Sequence, residues 1–157
     1  MQRIALGCSA PELTWINAGG RSIIDEAEPC GELTVRTSAM PADTNANGDI
    51  FGGWVMSQMD LAGGIASRER AHGRVATVAV NAMHFIRPVR VGDVLCVYRR
   101  VGRVGRTSVA IEVGAWARRF QTRIREKVTQ ATFTFVAIDD EGRPRPVPAA
   151  ADTRLLA

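Results

Sequence analysis

The segment from Gly52 to Ala71 constrains this chain more than any other. It keeps a helical apolar period and carries one charge, Asp60, before Arg68. Trp54, Gln58, Leu61 and Ile65 mark one stripe along it, and Val55, Met59, Ala62 and Ala66 mark the neighbouring stripe. A helix that is apolar over most of its circumference predicts a buried body. His72-Gly73 brings it to an end.

Beyond the helix the period changes to two. Residues 74–86, 93–104, 106–118 and 126–138 are rich in Val, Ile, Thr and Phe and read as strands. Val109, Ile111, Val113, Ala115 and Ala117 alternate against Ser108, Glu112 and Trp116, as Phe133, Phe135 and Ala137 do against Thr132 and Thr134. Gly92-Asp93, the run from Gly102 to Gly105, and Asp139-Asp140-Glu141-Gly142 separate the strands as turns. Ahead of the helix, Leu33-Thr34-Val35-Arg36-Thr37 has strand composition. The order predicts an α+β fold in which a five-stranded antiparallel sheet wraps one long central helix. The sheet edges and second face left over predict a homo-oligomer.

At 157 residues, with 46% hydrophobic and 23% charged residues, the chain has the length and composition of one globular domain. Residues 1–30 lack a sustained period and read as an N-terminal extension, partly disordered or packed on a partner. Residues 31–142 read as the domain, and residues 143–157, with Pro144, Pro146 and Pro148, as an extended, exposed tail. No apolar run approaches the roughly 18 residues that a membrane span needs. The short stretch Ile4-Ala5-Leu6-Gly7 does not make a signal peptide, so a cytoplasmic location and no membrane partner are expected. Cys8, Cys30 and Cys96 are an odd number without close spacing, so neither a metal site nor a disulfide framework is expected.

The formal net charge is +4, and every basic residue except Lys127 is an arginine. The guanidinium fork suits phosphate, which favours an anionic, phosphate-bearing ligand. Nucleic acid is disfavoured, because the arginines are spread from Arg3 to Arg154, aromatics are scarce at 6% and no recognition-helix pattern occurs.

Asp60 is the leading candidate for chemistry. Its helical neighbours Met56, Ser57, Gly63 and Gly64 include no cation, and an unpaired buried carboxylate is expensive. The bland alternative is a side chain that bonds nearby backbone or faces solvent. Gly63-Gly64 lies on the same side, and interior glycines cost about 1 kcal/mol each relative to alanine. They imply a close approach to the helix, by a ligand or by the sheet. Gly52-Gly53 opens the helix, where free first-turn amides can hold a developing oxyanion and a missing side chain lets a carbonyl come near. Eight positions separate Gly52 from Asp60, about 12 Å of helix axis. The preceding run Pro41-Ala42-Asp43-Thr44-Asn45-Ala46-Asn47-Gly48-Asp49 has the composition of an ordered turn-rich loop, in which Asn45 could add a polar contact. No Gly-x-Ser-x-Gly elbow, Gly-x-Gly-x-x-Gly turn or phosphate loop is present. A carboxylate acting on an acyl group, directly or through water, remains.

The stretch from Met40 to Asp60, MPADTNANGDIFGGWVMSQMD, closely resembles the hotdog-fold acyl-CoA thioesterases, and within them the short bacterial YciA-like branch. The likeness continues through Ala71-His72-Gly73-Arg74-Val75, Phe85-Ile86-Arg87-Pro88-Val89, Val91-Gly92-Asp93, Gly105-Arg106-Thr107-Ser108 and Phe133-Thr134-Phe135-Val136-Ala137, so that residues 31–147 are covered. It implies a hotdog fold, hydrolysis of acyl-CoA to a carboxylic acid and CoA, and sites at the interface of paired protomers in a trimer of dimers. It places the family's acid on Asp60, its oxyanion-binding amide on Gly52 and its loop amide, acting across the interface, on Asn45. Gly53 and Arg106-Thr107-Ser108 fall at substrate-binding positions, the latter against the pantetheine and phosphates of CoA. No metal and no cofactor beyond the substrate is implied. Residues 118–127, a basic connection between the last two strands, read as a solvated turn, with a contact to the CoA phosphates as the alternative. A hotdog dehydratase would pair a histidine with the acid, and Pro41 to Phe51 contains none. A non-catalytic acyl-CoA sensor or scaffold is the other alternative.

Overall fold

The computed structural model describes residues 28–149. Most of the N-terminal extension and the end of the tail lie outside them. Strand β1 (Glu32–Ser38) leads through a 3-10 turn at Pro41–Asp43 into helix α1 (Gly52–Ala71). Strands β2 (Val75–Phe85), β3 (Val94–Val104), β4 (Ser108–Arg118) and β5 (Arg125–Ala137) follow. Every pairing is antiparallel and the order across the sheet is β1-β3-β4-β5-β2, so β1 and β2 are the open edges. This is the α+β arrangement expected from the change of period.

The core forms where the alternating face of β4 meets the helix. Val109, Ile111, Val113, Ala115 and Ala117 of β4 are buried in one cluster with Leu95, Val97, Phe133 and Phe135 of the flanking strands and with Val55, Met59, Ala62 and Ala66 of α1. Trp116, assigned to the polar side by alternation, is buried as well, at a register shift between Ala115 and Trp116 in the β4–β5 ladder. Gly63 explains its own presence: a Cβ there would lie 2.8 Å from the ring of Phe135, which is 1% exposed. The close approach implied by the glycine pair is therefore made by the sheet.

The expectation of a buried helix body holds for one face only. Only the Val55–Met59–Ala62–Ala66 stripe and its immediate neighbours are buried, whereas Met56 is 40% and Leu61 48% exposed. One sheet covers one face of a helix; a second layer is needed for the other. Val78 (58%), Val80 (38%) and Phe85 (50%) on the β2 edge extend the same open apolar surface.

The helix ends as its sequence requires. His72 takes a left-handed conformation at φ 50°, and Gly73 N–H donates to the Arg68 carbonyl at 3.2 Å. Arg145 of the tail donates to the Ala71 carbonyl at 2.8 Å, while Val147 N–H donates to the Arg106 carbonyl at 2.8 Å and Arg70 reaches the Pro148 carbonyl at 2.7 Å. The described part of the tail is thus extended, but bound to the domain rather than loose. Cys96 is a free buried thiol. Among the described residues no helix is long and apolar enough to cross a membrane.

Candidate active site

The loop ahead of α1 is organised by its own short polar side chains. Asn45 Oδ1 accepts hydrogen bonds from the backbone amides of Asn47 (2.9 Å) and Asp49 (3.2 Å), and Asn45 N–H donates to the Asp49 carbonyl at 2.7 Å. Thr44 Oγ1 donates to the Pro41 carbonyl at 2.8 Å, and Met40 N–H donates to the Asp43 carboxylate at 3.0 Å. Such Asx and related turns are why Asp, Asn and Thr are dense here. Asn45 therefore spends its oxygen on the loop and keeps its amide NH2 free among the described residues.

Two further bonds dock this loop. Phe51 N–H donates to the Asp43 carbonyl at 2.8 Å, and Ile50 N–H donates to the Val89 carbonyl at 3.1 Å. The amides of Trp54 and Val55 turn back to the Phe51 carbonyl, which leaves the Gly52 and Gly53 amides without an acceptor among the described residues. They are the orphan donors of a helix start, at the positive end of its dipole. Beside Gly52 lies a cavity of about 280 Å³, walled by Ile50, Val55, Phe85, Ile86, Pro88, Val89 and Val128 among others. A Cβ on Gly52 would meet the Phe85 ring at 3.3 Å. Gly53 is covered by the ring of Phe51, itself 58% exposed.

Asp60 sits two turns further on. It is half-buried, and Thr77 Oγ1 of β2 donates to its Oδ1 at 2.7 Å. No cation pairs with it among the described residues. The sequence did not single out Thr77, whose place early in a strand resembles that of any solvent-facing threonine.

These residues fall into two groups within one chain. Asn45, Gly52 and Gly53 lie at the end of the sheet where Phe85 pairs with Thr129. Asp60 lies where Thr77 pairs with Phe135, which in turn pairs with Val109. Arg106, Thr107 and Ser108 belong to that second end, since Ser108 pairs with Val136 and the Thr107 carbonyl accepts from Ala137 N–H at 2.8 Å. Thr129 and Val136 are seven residues apart on β5, about 23 Å of strand. The structure does not bring Arg106-Thr107-Ser108 to the Gly52 of the same chain.

A buried ion network supports the cavity wall. Asp93 is 3% exposed, and its carboxylate accepts from Arg119, from Arg90 N–H at 2.9 Å and from Phe120 N–H at 3.4 Å. Arg119 also binds Glu126 and donates to the Pro88 carbonyl at 2.9 Å. Burial opposes the charge on Arg119, but its hydrogen bonds to Glu126 and Asp93 outweigh burial and hold its pKa above the usual value. The sequence placed this arginine in a solvated basic run.

The thioesterase superfamily model matches residues 47–119. The acyl-CoA thioester hydrolase YciA of Salmonella typhimurium is 55% identical over 123 residues, covering 76% of this chain and 92% of that protein. Among solved structures, the hexameric thioesterase y2039 of Yersinia pestis superposes with a TM-score of 0.75 at 53% identity, covering 78% of this chain and 99% of that one. The hexameric hotdog-fold thioesterase Cj0915 of Campylobacter jejuni gives 0.72 at 40% identity, covering 75% and 91%. With 55% identity over most of both chains and the same helix-and-sheet fold, the chain belongs to the YciA-type acyl-CoA thioester hydrolases of the hotdog thioesterase superfamily.

Proposed function

We propose that the chain hydrolyses acyl-CoA at sites shared between two protomers, each site taking the Gly52 amide from one protomer and the Asp60 carboxylate from the other. The separation of these two groups carries the reading. A nucleophile and an oxyanion donor must both lie near 3 Å from one carbonyl. On a continuous helix Gly52 and Asp60 stand about 12 Å apart, so one chain cannot serve a single thioester with both. A second copy supplies the missing half, and the apolar surface formed by Met56, Leu61, Val78, Val80 and the open β2 edge supports such a pairing. The hexamers of the solved relatives are the precedent for a trimer of such dimers.

In this scheme the Gly52 amide donates to the thioester oxygen, and the charge that develops there is held at the helix start. Thr77 fixes one oxygen of Asp60 and leaves the other free to act. Asp60 either removes a proton from water as the water adds to the carbonyl carbon, or adds to that carbon itself to give a mixed anhydride that water then opens. In both routes the C–S bond breaks, the CoA thiolate takes up a proton and the carboxylic acid is released. The free NH2 of Asn45 acts across the interface, Gly53 lets the Phe51 ring lie beside the oxyanion donor as a wall for the substrate, and Arg106-Thr107-Ser108 hold the pantetheine and phosphates at the Asp60 end. The scheme uses only substrate and water.

The test is thiol release from acyl-CoAs of rising chain length, with wild type beside Asp60→Asn and Gly52→Pro. Proline is tolerated at the first helical position, and Phe51 at φ −62°, ψ 127° already has the conformation a following proline requires. Each variant is expected to lose about a hundredfold or more in kcat. Random mixed dimers of the two variants should regain about a quarter of wild-type activity, because half the dimers carry one intact site. Mixed dimers as inactive as their parents would overturn the shared site. Tight CoA binding without release from any substrate would move the assignment to a non-catalytic acyl-CoA sensor.

A further inference from the structure

We propose that the β4–β5 hairpin docks the protein on an anionic lipid surface, a role independent of the catalytic reading and contrary to the expectation of no membrane partner. Residues 118–127 hold Arg118, Arg119, Arg123, Arg125 and Lys127 against the single carboxylate of Glu126. Their excess of +4 equals the formal charge of the whole chain, so the rest of the molecule is balanced and the hairpin is its cationic pole.

Inside the hairpin the charges are arranged for an external anion. Arg119 is already occupied by Asp93, Glu126 and the Pro88 carbonyl, which anchors the hairpin to the body of the domain. Arg118 and Arg125 stand directly opposite each other in the β4–β5 register as a like-charged pair, and Arg125 lies over the Tyr98 ring at 6.0 Å, which leaves Arg118 for an external anion. Arg90, Arg118 and Arg123 are exposed and have no acidic partner among the described residues. Arg123 turns the chain at a left-handed φ of 60°.

Between these cations stand two apolar side chains in water. Phe120 is 77% and Ile124 59% exposed, the highest values of any large hydrophobic residue described, and Val91 (44%) adjoins them across Gly92. A turn built only for solubility has no use for them. CoA phosphates would engage the arginines but leave Phe120 and Ile124 in solvent. The dimer seam takes the open β2 edge, whereas both strands of the hairpin are already paired; the further contact that a trimer of dimers needs is tested separately, by the assembly state of the apolar variant below. A bilayer of anionic phospholipid meets both requirements at once, phosphates for the guanidinium groups and the acyl boundary for the rings and branches.

The test is flotation of the full chain with phosphatidylcholine vesicles, with and without phosphatidylglycerol. The expected result is binding about a hundredfold stronger to the anionic vesicles, from three free arginines near the surface, and reversed by high salt. Arg118→Gln/Arg123→Gln should cut that preference to about fivefold, and Phe120→Ser/Ile124→Ser should weaken binding at least about tenfold, both with unchanged assembly by light scattering. A folded wild type that ignores anionic vesicles overturns the proposal. So does a Phe120→Ser/Ile124→Ser variant that falls into smaller assemblies, which would give the patch to a second copy. A raised KM for short acyl-CoAs in the arginine variant, with flotation unaltered, would give the patch to the CoA phosphates.

Discussion

The adjacent glycines of α1 allow a prediction in which neighbouring substitutions take opposite signs. Replacing glycine by alanine inside a helix favours the folded state by about 1 kcal/mol when the new methyl group is accommodated. At Gly64 the nearest heavy atom to a Cβ would be a Phe135 ring carbon at 3.8 Å, an ordinary contact. At Gly63 the same group would meet that ring at 2.8 and 2.9 Å. Phe135 cannot withdraw, since it is 1% exposed and stacks on Phe133 at 6.4 Å between centroids. Overpacking of this kind costs about 1–3 kcal/mol, so Gly63→Ala should be neutral to destabilising while Gly64→Ala gains about 1 kcal/mol. In thermal unfolding at fixed protomer concentration, each kcal/mol corresponds to about 2–4 °C for a chain of this size. Equal stabilisation by both alanines would refute the packing argument. Turnover adds a second readout: if the glycines serve packing, Gly64→Ala keeps kcat/KM, whereas a stabilised but inactive Gly64→Ala enzyme would mean that substrate passes there.

Thr77→Val removes the hydroxyl that donates to Asp60 and should lower kcat by about tenfold or more, the usual worth of a bond to a charged group, with Thr77→Ser restoring it in the same thiol-release assay. Arg119→Met strands the Asp93 carboxylate in the interior and should lower stability by about 3–5 kcal/mol, measured by denaturant unfolding. Adding Asp93→Asn should recover part of that loss, and strict additivity of the two changes would refute the coupling. Burial holds the Lys127 ammonium pKa below its ordinary value, so the unfolded chain binds this proton more tightly than the folded one. The resulting destabilisation is present at neutral pH and relieved as pH rises through the depressed value; Lys127→Met should remove that rise in an unfolding series from neutral to alkaline pH.

The architecture was legible because the apolar period changes from helical to alternating at one place, after His72-Gly73, and each strand then ends at its own turn signal. Asp60 was legible for a similar local reason, as a charge in a segment that otherwise has none. What escaped depends on which elements meet. Thr77 is identified only by where α1 crosses β2, and Arg119 only by three partners in two separate segments, the β2–β3 connection and β5. The helix burial was overread because amphipathicity reports how much apolar surface must be covered, and says nothing of whether the same chain covers it. That distinction returns at the site itself. The spacing from Gly52 to Asp60 is rigid, so it carries over unchanged from sequence to structure, and about 12 Å is too far for one carbonyl. The apolar surface left open beside both groups and the separation between them thus support the same proposal, a site completed by a second protomer. Whatever disrupts the seam along Met56, Leu61, Val78 and Val80 should abolish turnover while leaving each domain folded.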